Sequence, residues 1–134
     1  MSALRRHVAV RALAGVFLLA LAATACRRGG DGPRELLDRY FSTAVRQDYS
    51  ATWECYDQNY RSKVDRDEYV QHRRDASQLV TWKVVSLEEH GDTARAQVDL
   101  VFAPSPRLGR PDPAEKKVVE DLVRERGEWR VKVW

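Results

Sequence analysis

Cysteine and histidine are scarce: the 134 residues hold two cysteines, Cys26 and Cys55, and three histidines. Side chains so few and so scattered offer no metal-ligand spacing, and neither a metal nor another cofactor is expected. Surplus positive charge is also missing. The formal charge of +3 comes from Arg5, Arg6 and Arg11; the chain after residue 25 carries 20 basic and 20 acidic side chains. Nucleic-acid binding draws on excess cations to neutralise phosphates, so no nucleic-acid partner is expected. A spanning helix needs roughly 20 apolar residues, whereas the uncharged run Ala12 to Ala25 has 14. Four of the five prolines lie between Pro104 and Pro113, which bars that stretch from being a strand interior. What remains, 43% hydrophobic and 32% charged, is the composition of one globular domain.

The first 25 residues read as a targeting segment: a basic start, Met1 to Arg11, then the short apolar run. The run ends in Leu21-Ala-Ala-Thr-Ala-Cys26, with small residues at Ala23 and Ala25. That ending resembles the lipobox of bacterial lipoproteins, in which the cysteine thiol is acylated and becomes the new N-terminus; Ala23 stands where that family usually has leucine. The resemblance implies lipidation at Cys26 and a membrane partner through the anchor. Ordinary secretion after Ala25, with Cys26 a plain thiol, is the alternative. With Cys26 acylated no intrachain disulfide can form, so the domain stands on its core alone. The expected address is the cell envelope, on the periplasmic face. Arg27 after the acylated cysteine favours the outer membrane in a Gram-negative cell. Residues 26–32 then form a glycine-rich tether, and residues 33–134 the single domain.

Three helices are expected first. Pro33 suits a first helical position, and Leu36, Leu37, Tyr40, Phe41, Ala44 and Val45 make a broad apolar stripe. That helix should stop near Gln47-Asp48, and Ser50 should cap a second one carrying Trp53, Tyr56 and Tyr60. Asp65-x-x-Glu68 reads as a capping box for a third, bearing Tyr69, Val70 and Ala76.

Two hairpins follow. Gly91-Asp92 joins the runs Leu79 to His90 and Thr93 to Ala103. In the second run Ala94, Ala96, Val98, Leu100 and Phe102 share one face, and Arg95, Gln97 and Asp99 the other. The first run is less regular, and a bulge near Val84-Val85 would account for its change of inward side. Pro104 to Pro113 is a long connection with Arg107, Leu108 and Arg110 at its tip. The second hairpin runs from Glu115 to Trp134 around Arg126-Gly127. Its register should set Leu122 against Val131, Arg124 against Trp129, Asp121 against Lys132 and Val123 against Arg130.

Helices followed by an antiparallel sheet make an α+β layout. Carried by LLDRYFSTAVRQDYSATWE, HGDTARAQVDL and RGEWRVKVW, the order resembles the nuclear-transport-factor-2-like superfamily, which includes ketosteroid isomerase, scytalone dehydratase and polyketide cyclases. It is most similar to the small bacterial lipoproteins that carry this domain after a lipobox. The resemblance implies N-terminal helices packed on a curved antiparallel sheet, a cone whose open end can take a small hydrophobic ligand. Enzymes of the superfamily set a carboxylate or a His–Asp pair inside the cone, beside a tyrosine or acid. The inward face of the best strand carries no acid, and Asp121 reads as a surface ion-pair partner, so no catalytic residue is carried over.

Candidate pocket-lining residues are Tyr40, Trp53, Tyr56, Tyr69, Trp82, Ala96, Val98 and Leu100. Cys55 reads as a packed apolar side chain, and His72 and His90 as solvated ones. These features favour a lipid-anchored, non-catalytic envelope domain that binds a small apolar ligand or an envelope protein. The alternatives are an isomerase-, dehydratase- or cyclase-like enzyme, and a docking or dimerisation module; monomer and homodimer are both open.

Overall fold

The computed structural model describes residues 31–134. The targeting segment, Cys26 and most of the tether lie outside the described residues.

Helix α1 spans Pro33–Val45, with Pro33 in the first turn and Leu36, Leu37, Phe41 and Ala44 buried. Gln47 takes a positive φ of 59° and turns the chain into α2, Tyr49–Glu54. Its cap is Asp48, not Ser50: the Ala51 N–H donates to the Asp48 carboxylate at 3.3 Å. Aspartate caps as well as serine, and it stands at the end of the turn, whereas Ser50 is already inside the helix. The expected second helix is really two. It breaks at Cys55–Asp57, and α3, Gln58–Lys63, starts afresh on an Asp57 cap that accepts the Tyr60 N–H at 2.9 Å. The cause is distant in sequence. Asp57 N–H donates to the Val131 carbonyl (2.9 Å) and Val131 N–H to the Cys55 carbonyl (2.8 Å), which takes this backbone out of a helix and pairs it with the sheet.

Helix α4, Arg66–Asp75, begins on Asp65 as expected, whose carboxylate accepts the N–H groups of Asp67 and Glu68. Asp65→Ala leaves both donors without that acceptor and should lower stability by about 1 kcal/mol, read from urea unfolding; an unchanged midpoint would mean the cap is dispensable.

The sheet is a meander in the order β1-β2-β3-β4, every pair antiparallel, with β1 Leu79–His90, β2 Thr93–Phe102, β3 Ala114–Glu125 and β4 Glu128–Lys132. The β1–β2 register slips between Val84 and Ser86, so Val85 is the expected bulge. A second slip between Leu79 and Thr81 turns Val80 outward and Leu79 into the core. The β3–β4 register has all four expected pairs. Arg126 and Gly127 form its turn with φ of 49° and 80°, the positive values a two-residue hairpin turn requires. A short 3-10 turn, Pro106–Leu108, lies in the proline-rich connection.

Helices cover one sheet face, and the core lies between them. The other face is polar. Glu88, Arg95, Asp121 and Lys132 form a row of alternating charge across the four strands, with Arg95 Nε 2.8 Å from Asp121. This ladder holds register and interrupts the apolar surface of that face, on which Val119, opposite Gln97, is exposed.

Candidate functional site

The helix-covered face of the sheet carries Ala94, Ala96, Val98 and Leu100 from β2, all buried. Directly across on β3 stand Leu122, Glu120, Val118 and Lys116. Glu120 therefore sits opposite Ala96 on the inward face: β2 itself holds no acid there, as expected, but its neighbour β3 does. The signal was present. Glu120 has the same parity as Leu122, so alternation carried two residues back from it along β3 marks Glu120 as inward.

Burial pushes the Glu120 carboxyl up to about 7; the neighbouring Asp121 charge adds to the rise and Lys116 opposes it. Among the described residues no hydrogen bond or ion pair reaches this carboxyl. The helices supply its surroundings. Tyr40 of α1 is half-buried against the core, and its phenol is raised well above the usual range by burial and then by the Glu120 charge. The Tyr40 and Tyr56 hydroxyls are hydrogen-bonded at 2.8 Å, and the Tyr56 and Tyr69 hydroxyls meet at 3.4 Å. Burial raises both of these phenols too. Tyr60 of α3 lies on the Tyr56 ring, centroids 4.2 Å apart.

Three tyrosines from α1, the α2–α3 junction and α4 thus form a neutral hydroxyl chain, with a carboxyl near the Tyr40 end. The break at Cys55–Asp57 is what places Tyr56 in the middle. A carboxyl that titrates near 7 can donate a hydrogen bond when protonated, accept one when ionised, or exchange a proton at neutral pH.

Of the eight candidate pocket residues, Tyr40, Tyr56 and Tyr69 share this chain, and Ala96, Val98 and Leu100 lie on the sheet face it covers. Trp82 stacks on Phe41 at 5.3 Å, whose ring edge meets Tyr40. Trp53 lies elsewhere: its Nε1–H donates to the Val64 carbonyl at 3.0 Å and Arg61 covers its ring. Cys55 is buried, with its thiol raised by burial, the reverse of what a reactive thiolate needs. His72 and His90 are exposed. Among the described residues no group of three or more His, Cys, Asp and Glu could hold a metal ion.

No protein-family model matches the sequence, and no curated protein matches it significantly. Solved structures do match in three dimensions. A SEC-C motif containing protein from Rhodopseudomonas palustris is 17% identical over 75% of each chain, with a TM-score of 0.63. A Thiobacillus denitrificans protein named for the calcium/calmodulin-dependent protein kinase type II association domain is 13% identical, over 74% of this chain and 88% of its own, at 0.57. An NTF2-like protein from Burkholderia thailandensis is 18% identical, over 77% and 89%, at 0.51. At such identities the likeness is one of fold, and with its helices set against a curved antiparallel sheet this domain is an NTF2-like α+β cone.

Proposed function

We propose that this is a lipid-anchored cell-envelope domain whose cone binds a small ligand without transforming it. The ligand has a mainly apolar body and one hydrogen-bonding group. The observation that carries this reading is Glu120, a half-buried carboxyl with no protein partner among the described residues, opposite Ala96 and near the tyrosine hydroxyl chain. Partial burial already disfavours its charge, and a ligand donor group would supply the partner that the protein does not. Val98 and Leu100 make the buried sheet face beside it apolar, which suits an apolar ligand body. Anchoring rests on the sequence around Cys26; among the described residues no helix is long and apolar enough to cross a membrane.

A second reading has its own support. A carboxyl near 7 beside phenols is suited to general acid–base work, which favours a proton-transferring enzyme of the isomerase or dehydratase kind. Turnover of a carbonyl compound that is lost in Glu120→Gln would select it.

Native mass spectrometry of the full chain purified from its own host tests the proposal. The expected species lacks residues 1–25, carries added acyl mass, and releases a small molecule on activation. Ala96→Trp sets a bulky side chain opposite Glu120 and should abolish that bound mass, at an overpacking cost of about 1–3 kcal/mol. A bound protein in place of the small molecule would turn the reading to an envelope-protein partner, and an unmodified Cys26 would remove the anchor.

A further inference from the structure

A cleft of about 530 Å³ lies between α3 and the β3–β4 turn, lined by Gln58, Arg61, Glu125, Arg126, Glu128 and Arg130. Its charges are unevenly satisfied. Both Glu125 oxygens accept the Gln58 N–H at 3.2 Å, and Glu128 pairs with Arg130, whose other arm donates to the Glu54 carbonyl. The carboxylates are thus engaged from within.

Two guanidinium groups are engaged in part or not at all. Arg61 makes one ion pair, through one terminal nitrogen, 3.4 Å to Glu54, and lies 5.7 Å over the Trp53 ring. Its side chain is only 20% exposed, and its Nε is enclosed with no acceptor among the described residues. Packing has therefore already ordered this fork before any ligand arrives. Arg126 makes no hydrogen bond or ion pair among the described residues and holds a φ of 49°. That left-handed conformation favours glycine or asparagine, so the turn carries a guanidinium at a position where glycine would be less strained.

We propose that this cleft binds a phosphate group, held by Arg61 and Arg126 from α3 and the turn, with Arg130 and Gln58 at its wall. A planar carboxylate satisfies a single arginine fork, whereas a tetrahedral phosphate presents oxygens to two forks arriving from different elements. A free phosphate or monoester and the diester headgroup of a phospholipid share this chemistry. The site is independent of the cone and of the reading given to it.

The test is titration of the full chain in detergent, at constant ionic strength, with inorganic phosphate and with glycerophosphoglycerol, followed by thermal unfolding. Saturable stabilisation by phosphate alone assigns the site to free phosphate or a monoester, and equal or tighter response to the diester assigns it to a lipid headgroup. Arg126→Gly should raise the melting temperature without ligand and weaken the response at least tenfold. Arg61→Lys, which keeps the charge but loses the fork, should weaken it as well. No saturable response of wild type to either probe, or an unchanged response in Arg126→Gly, overturns the proposal.

Discussion

At pH 8 the Glu120→Gln domain should be more stable than wild type by roughly 3 kcal/mol, and the difference should vanish below about pH 4. The sign follows from where the proton binds. An unfolded glutamate titrates near 4.3, whereas burial lifts folded Glu120 to about 7. Between those values the folded state holds the extra proton, so wild-type stability falls as pH rises. Above 7 the full penalty is present, because an ionised, half-buried carboxylate then stands beside the Asp121 charge. Each pKa unit corresponds to about 1.36 kcal/mol, hence the expected size. Glutamine keeps the shape and stays neutral, so it removes the pH-dependent part. Urea unfolding of both proteins from pH 4 to pH 8 reads it directly. A pH-independent difference between the two would mean that the carboxyl is solvated and the cone has no internal acid. Glu120 also bears on either functional reading, since its proton decides whether the site donates or accepts.

The sheet was legible because its information is local. Alternation along 93–102 sets the faces of β2, and the two-residue turn at Arg126-Gly127 fixes every pair of the second hairpin. Even the bulge at Val85 shows as a change of apolar parity. Glu120 is equally local, since it lies two residues before Leu122 on the same strand and so on the same face. The tyrosine chain is a different case. Tyr40, Tyr56 and Tyr69 lie on separate elements, and periodicity marks each only as an apolar position. Their meeting depends on the break at Cys55–Asp57, which is caused by Val131, more than 70 residues away. No local pattern contains that pairing. For the same reason Trp53 could not be separated from the other aromatics before its bond to Val64 was seen.

Because β4 holds that break in place, its anchor should control both stability and the site. Trp129 is that anchor: it is 3% exposed, and the Arg124 guanidinium lies 5.0 Å from its ring. Trp129→Ala should cost about 3–5 kcal/mol, the range for truncating a buried large aromatic. Trp134 supplies the internal comparison. It is 55% exposed and touches Tyr60 at the rim, so Trp134→Ala should stay within about 1 kcal/mol of wild type. The consequence for the site is the sharper part. Strand β4 is five residues long and is held by β3 on one side and by the two bonds between Val131 and the Cys55–Asp57 backbone on the other. Loosening its Trp129 end weakens those bonds, and Tyr56, between them in sequence, leaves the hydroxyl chain. Hydrogen exchange should therefore show Asp57 and Val131 amides losing protection together in Trp129→Ala, more than Ala94 or Ala96 amides of β2. Equal losses at all four amides would mean that the mutation destabilises the domain globally and that β4 does not hold Tyr56 in place.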